Sequence, residues 1–380
     1  VKCNSEGGIL LPPATIGIVG GGQLGQMIAL SAKAMGYKVG VLDPLPDCPT
    51  AQVSDFQIVA EYDNHRALMQ LAERSDVLTY EFENVDVDSL TEAQKITALP
   101  QGTNLLEITG DRLHEKNFLE GRDIPVTPFA AVEHPSDLKK AVEKIGFPSI
   151  LKTVEGGYDG HGQQDLNSEA DLKAGEELVS KSICILEKKQ NFAKELSVMV
   201  TRSRNGEIRS FPVVENIHRN HILHETIVPA RVSKDVQQNA QKIARQIAQG
   251  LCLRGVLGIE YFMLEDGRLM VNELAPRPHN SGHYSIEACN ISQFEAHIRS
   301  ICGLEIPKIK LHSEAIMVNL LGQHLQPARD RLPERPNWHF HDYGKLEARK
   351  NRKMGHITML GDRHQLLDAV NTEHIWENEE

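Results

Sequence analysis

Four groups of residues in this chain have the types and spacing to do chemistry. Glu260 and Glu273 flank the turn-forming pair Asp266 and Gly267 in the run VLGIEYFMLEDGRLMVNEL. With Asp-Gly as the two central residues of a hairpin turn, residue 265 faces 268, and counting outward sets 260 opposite 273 on one face of the ribbon. Carboxylates so placed have Cβ atoms about 5 Å apart, where like charges repel. A hard divalent cation shared by both and by phosphate oxygens removes the repulsion, and Mg2+ commonly takes few protein carboxylates. The same count puts Phe262, Leu264, Leu269 and Val271 on an inner, apolar face. A one-residue slip or a bulge would leave two solvated glutamates instead.

The second group is Lys152, at the end of the strand-like SILKT, with the loop behind it. Gly156, Gly157, Gly160 and Gly162 in that loop can fold over phosphates with their N–H groups. No G-K-[ST] follows, so this is not a P-loop. It reads as an ammonium meeting nucleotide phosphates under a glycine flap, or as a plain hairpin with a surface lysine. The third group, in NELAPRPHNSGHYS, crowds Arg277, His279, Asn280, Ser281 and His283 onto a proline-limited loop behind Glu273. Arginine offers a planar fork to a carboxylate or bicarbonate, and His and Asn can orient one. The fourth is G-x-G-x-x-G at Gly20, Gly22 and Gly25, with Asp43 ending the next strand. A dinucleotide, another anionic ligand and a purely structural turn are all open readings.

The elements that must position these groups fall into three parts. TIGIV, KVGVLD, Phe56 to Val59 and VLTYEFE read as strands alternating with helices, a parallel α/β unit. After the helical DRLHEKNFLEGRD, the two prolines of IPVTPF mark a boundary. An α+β region follows: SILKT and ICILEK, then KELSVMVTR and EIRSFPVV joined at Asn205-Gly206, a helix over 234–249, and the 256–275 hairpin. The predicted domains are a tail or cloning remnant at 1–14, a Rossmann-like unit at 15–122, an α+β unit at 123–305 and a small closing unit at 306–380.

Composition bounds the function. The chain has 380 residues, 41 Lys plus Arg against 52 Asp plus Glu, and a net charge of -11. This disfavours nucleic-acid binding, which needs clustered positive charge. No run approaches the roughly 18 to 20 apolar residues of a membrane span, and no signal-peptide pattern opens the chain, so a cytoplasmic protein is expected. The six cysteines form no C-x-x-C pair and read as reduced thiols, not a zinc site. Residues 331–356 invert the field locally, with Arg331, Arg335, Lys345, Arg349, Lys350, Arg352 and Lys353 against Glu334, Asp342 and Glu347. This fits a phosphate site or a solvated basic face.

In combination and order, GGGQLGQM, KTVEGGYDGHGQ, GIEYF, NELAPRPHNSGHYSIEAC and RKMGH resemble the ATP-grasp superfamily and, within it, the N5-carboxyaminoimidazole ribonucleotide synthetases. The resemblance runs from about Thr15 to Leu360 and implies an ATP-grasp fold with an N-terminal Rossmann-like, biotin-carboxylase-like domain. It implies a ligase that uses ATP, Mg2+ and bicarbonate to carboxylate the amine of 5-aminoimidazole ribonucleotide, and a homodimer. Arg112 and Lys152 would meet nucleotide phosphates under a flap of Gly157, Tyr158, Asp159, Gly160, His161, Gly162 and Gln163. Glu187, Lys188, Lys189 and Gln190 would hold adenine through the backbone, with Glu195 at the ribose and His218 and Asn272 also touching the nucleotide. Glu260 and Glu273 would bind the metal, and Tyr158, Arg277, His279 and Asn280 would line the bicarbonate pocket. Gln23, Leu24, Glu81, Lys345, Arg352 and Lys353 would hold the ribonucleotide, the last three at its phosphate. His161 stands where many members have Arg or Lys, so no permanent cation is implied there. The competing readings are another ATP-grasp ligase (a formate-dependent glycinamide ribonucleotide enzyme or a biotin carboxylase), an NAD-dependent dehydrogenase, and a catalytically silent nucleotide binder.

Overall fold

The computed structural model describes residues 8–156 and 162–376. Strands β1 (Thr15–Val19), β2 (Lys38–Asp43), β3 (Phe56–Val59) and β4 (Val77–Tyr80) form a parallel sheet in the order β3-β2-β1-β4. Their apolar runs lack polar alternation because helices cover both faces. Ile16, Ile18, Met27 and Ile28 pack against Phe294 and Ile298 of a later helix, Gln293–Ile301, which ties this unit to the rest of the molecule. Residues 8–14, expected to be tail, are held in place. The Leu10 N–H donates to the Cys302 carbonyl and the Leu10 carbonyl accepts from the Tyr37 hydroxyl, at 3.0 and 2.7 Å.

A second sheet is antiparallel: β5 (Phe129–Val132), β6 (Ser149–Thr153), β7 (Gln163–Leu166) and β8 (Cys184–Lys188), ordered β5-β8-β6-β7. Alternation sends Leu151, Leu166 and Leu186 into a core with the helices Leu138–Ile145 and Leu172–Val179. Lys152 and Glu187 therefore share the opposite face, two ladder positions apart, since Ile150 pairs with Glu187, Leu151 with Leu186 and Lys152 with Ile185.

The large sheet contains β9 (Lys194–Arg202), β10 (Ile208–Ser210), β11 (Val214–Arg219), β12 (Ile222–Val228), β13 (Val256–Met263), β14 (Leu269–Ala275), β15 (Ala315–Leu321), β16 (His339–Asp342) and β17 (Lys353–Leu360). Its order is β14-β13-β9-β11-β12-β15-β17-β16, with β10 beside β9. One face packs Leu196, Val198, Leu257, Ile259 and Tyr261 on Ala240, Ile243, Ala244 and Ile247 of the helix Lys234–Gly250. The apolar stripe at 240, 243, 244 and 247 is the helical repeat that a sheet-facing helix requires. Strands β15 to β17 extend this sheet, because β15 pairs with β12. Cys48, Cys184, Cys289 and Cys302 are free and buried. Cys252 is disulfide-bonded, so the expectation of reduced thiols throughout fails there.

Candidate active site

A cavity of about 770 Å³ opens between the second sheet and the large sheet. Lys152 and Glu187 line it from one side, and Glu195, His218, Glu260 and Glu273 from the other. Arg112 and Lys116 enter from the helix Arg112–Glu120, while Arg277, His279, Asn280 and Lys353 close the far end. The four large-sheet residues share a face because Glu195 lies opposite Asn216 and Phe262 on neighbouring strands, and Glu260 lies opposite Glu273.

The Glu260–Glu273 pairing is as expected, but by a different route. The Leu264 N–H donates to the Arg268 carbonyl and the Gly267 N–H to the Leu264 carbonyl, both at 2.9 Å, with Gly267 at φ 81°. This is a three-residue loop, so Leu264 faces Arg268, and the ladder runs 263–269, 262–270, 261–271. A bulge on β14 at Asn272 then inserts one residue and restores 260 opposite 273. The offset and the bulge cancel. They do not cancel along the stem: Tyr261, Leu269 and Val271 form the core face, while Phe262 turns to the cleft side and stacks on Phe192 at 4.5 Å. Burial raises the Glu260 carboxyl, Glu273 raises it further, and His218 opposes both. The pair supplies hard oxygen donors in need of positive charge, so the residues present fit Mg2+. Among the described residues no three His, Cys, Asp or Glu converge on a metal position, so further ligands must come from elsewhere, as phosphate oxygens would.

Lys152 Nζ donates to Glu187 at 2.6 Å, and Lys116, unremarked in the sequence, lies 3.3 Å from the other Glu187 oxygen. Burial would raise the Glu187 carboxyl, but the two ammonium groups outweigh it and bring it down to about 2. Lys116 is four residues from Arg112 on one helix, a spacing that places both on one face and could have revealed it. Arg112 donates to the Thr153 carbonyl at 3.1 Å. The N–H groups of Lys188 and Lys189 bond the carbonyls of Pro128 and Pro148, at 2.9 and 3.1 Å. Their side chains turn to Phe147 and Asp165, and neither residue lines the cavity, nor does Gln190. His218 contacts Glu195, whose charge raises the imidazole against the opposing effect of burial.

His279 Nε2 lies 3.3 Å from Glu260, and its Nδ1 meets Ser281 Oγ at 2.8 Å and the Ser281 N–H at 3.4 Å. Burial, then Arg277 and Lys353, hold this imidazole neutral. Gln293, fully buried, clamps the His279 backbone, donating to its carbonyl at 2.8 Å and accepting from its N–H at 2.9 Å. Asn280 is oriented by His283 Nε2 at 3.1 Å. Arg277 donates to Glu83 at 3.0 Å, a second residue missed in the sequence.

The glycine-rich loop before the helix Gln23–Ala34 is filled from within. The Gly21 N–H donates to Asp43 at 2.7 Å, and those of Gly22 and Gly25 to Glu81 at 2.6 and 2.8 Å. Asp43 also accepts from the Tyr62 hydroxyl at 2.6 Å. The amides and the acid that a dinucleotide would need are thus engaged with each other, and the dehydrogenase reading has no site. Glu81, held by these amides, also exerts its charge on a basic cluster. Burial, Arg352 and Lys353 bring Lys345 down to about 8, with Glu81 acting the other way. Lys345 Nζ donates to the Lys353 carbonyl at 2.7 Å, and Lys353 also lines the large cavity. Gln23 starts the helix beside this cluster, whereas Leu24 is core with Ile16 and Met27, leaving only its backbone for a ligand. Elsewhere in the basic segment, Arg335 pairs with Glu373 at 2.8 Å and Arg349 with Glu347. Gly157, Tyr158, Asp159, Gly160 and His161 lie outside the described residues; Gly162 and Gln163 line the cavity.

Three family models match the chain: a ribonucleotide synthetase preATP-grasp domain over 13–109, an ATP-grasp domain over 117–294 and a phosphoribosylaminoimidazole carboxylase C-terminal domain over 315–369. The N5-carboxyaminoimidazole ribonucleotide synthase of Bacillus subtilis (strain 168) is 49% identical over 93% of each chain. The chain belongs to the N5-carboxyaminoimidazole ribonucleotide synthase family. Among solved structures of this family, an ADP complex matches with a TM-score of 0.95 and 48% identity, covering 98% of this chain and 99% of that one. An Aspergillus clavatus synthase in complex with ADP and 5-aminoimidazole ribonucleotide matches with a TM-score of 0.87 and 34% identity over 94% and 98%. The ATP-grasp fold with a preATP-grasp unit and a C-terminal unit is that of the family.

Proposed function

We propose that this protein is an ATP-dependent ligase that carboxylates the amine of 5-aminoimidazole ribonucleotide with bicarbonate, giving N5-carboxyaminoimidazole ribonucleotide, ADP and phosphate in purine biosynthesis. The observation that carries the reading is Lys353, which lines the cavity of the opposed carboxylates and also joins the Lys345–Arg352–Glu81 cluster. A nucleotide site and a sugar-phosphate site thereby share one wall.

Arg112 and Lys152 bind the nucleotide phosphates, Lys152 leaving Glu187 to do so. Glu187, Lys188, Lys189 and Gln190 hold the base, and Glu195, His218 and Asn272 hold the rest of the nucleoside. Glu260 and Glu273 hold Mg2+, which when bound counters charge on the phosphates. A bicarbonate oxygen, oriented by Arg277, neutral His279 and Asn280, attacks the γ-phosphorus and ADP departs. The carboxyl group, activated as its mixed anhydride with phosphate, passes to the substrate amine, which gives up a proton as phosphate leaves. Gly157 to Gln163, including Tyr158, Asp159, Gly160, His161 and Gly162, cover the site so that water does not consume the labile anhydride. Gln23, Leu24, Glu81, Lys345, Arg352 and Lys353 bind the ribonucleotide.

The division into units at 15–122, 123–305 and 306–380, a cytoplasmic location and a homodimer belong to the same proposal; sedimentation tests the last. ADP release assayed with each acceptor tests the function. Stimulation by aminoimidazole ribonucleotide plus bicarbonate is expected. Stimulation by glycinamide ribonucleotide plus formate, or by biotin, would redirect the reading to another ATP-grasp ligase.

A further inference from the structure

Strand β14 is an edge strand, and the bulge that sets Glu273 opposite Glu260 lies in it. Were the ladder from 263–269 to 261–271 to continue without the bulge, Glu260 would face Asn272 and Glu273 would turn to the core side. On its outer side β14 is met by backbone at Val271, which bridges Val126 and donates to the Pro125 carbonyl at 2.8 Å, and no further strand runs beside the extra residue, so other contacts must hold it. We propose that Glu115 and Lys116 are positioning residues that fix this bulge and so set the two carboxylates level.

The contacts bracket Glu273. Lys116 Nζ donates to the Asn272 carbonyl at 2.8 Å and to the Val271 carbonyl at 3.4 Å. Glu115 accepts from the Leu274 N–H at 3.0 Å. Both side chains are buried, at 1% and 4% exposure, so water competes little for these backbone groups. The third Lys116 donor faces Glu187 at 3.3 Å, which links the carboxylate pair to the partner of Lys152. The clamp therefore joins the helix Arg112–Glu120, β8 and β14 at one ammonium group.

This inference rests on the metal-binding reading of Glu260 and Glu273, and its test separates the two. In the full-length protein without ligands, Glu115→Leu and Lys116→Met should lower amide-exchange protection of the 269–275 segment at least about tenfold. Both should raise the Mg2+ concentration needed for half-maximal binding of a fluorescent ATP analogue by about tenfold or more, as loss of groups supporting metal ligands does. The KM for aminoimidazole ribonucleotide should stay within about twofold, and Glu115→Gln, which keeps a carbonyl acceptor, should restore protection. Glu187→Gln, which cuts only the third arm, should leave protection of 269–275 unchanged. Unchanged protection in folded Glu115→Leu would overturn the proposal even if Lys116→Met failed to fold. Lost protection with nucleotide binding indifferent to Mg2+ in every variant would keep the clamp and refute the metal reading.

Discussion

Glu260 and Glu273 carry the sharpest prediction at the scale of single residues. Glu260→Gln and Glu273→Gln each preserve shape and remove a charge, so both should fold, with thermal midpoints at or above that of the unmutated chain. Turnover should fall by at least about 100-fold, the upper end for groups that merely support a metal ligand. Near-normal ADP release in both would show that the cation is held elsewhere. Lys345 gives a pH prediction. Its ammonium titrates near 8, so it is charged below that value and neutral above it. The KM for aminoimidazole ribonucleotide should rise as pH increases through about 8, and Lys345→Arg, charged throughout, should flatten the profile. These residues stand in the sequence as types at telling spacings. What was not legible was the partnership of Lys116 and Glu187, which lie on separate elements, or the use of Asp43 and Glu81 as internal acceptors for loop amides.

The glycine-rich loop and the hairpin make the case for elements. A Cβ on Gly22 would meet Glu81 Oε1 at 2.6 Å, and this contact concerns a carboxylate that the protein itself supplies. Gly22→Ala should therefore displace Glu81 and raise the KM for the ribonucleotide severalfold, leaving ATP-analogue binding intact; equal losses in both would place the loop at the nucleotide. The hairpin shows how pattern reasoning reaches a right pairing through two offsetting features. Asp266-Gly267 marks the turn, but a two-residue and a three-residue loop differ only in backbone conformation. The bulge at Asn272 has no local signature, because contacts from another helix hold it. The β11–β12 hairpin was likewise missed. Asn216 and His218 take the cleft face while Glu215, on the opposite face, pairs with Lys194 and Arg231 at 2.6 Å each, so polar residues fall on both faces and blur the alternation.

For the whole molecule, the strands of the closing segment share the sheet of the central one. β15 covers the edge of β12 along Glu225 to Val228, and β17 then covers β15. A chain ending at residue 314 should expose that edge and aggregate, while the same chain lacking only residues 361–380 should keep the sheet paired; light scattering on both distinguishes them. Charge is also distributed at this scale. The net value of -11 coexists with a cleft end where Lys345, Arg352 and Lys353 meet Glu81, and where surplus basic residues are neutralised locally, as Arg335 is by Glu373. Overall acidity thus governs the outer surface, and two anionic substrates meet a local field of opposite sign.

The sequence by itself determined the parallel α/β order of the first unit, the 256–275 hairpin and the residue types at the site, because burial periodicity and turn chemistry are local and motif residues keep their neighbours. Only the tertiary structure decided that the loop glycines serve Glu81 and Asp43, that Leu24 is core, that residues 8–14 are docked, and that the last strands complete the central sheet. It also decided that Glu115 and Lys116 grip the strand bearing Glu273. Each of these joins residues far apart in the chain, where the outcome depends on packing and on which buried donor finds which acceptor.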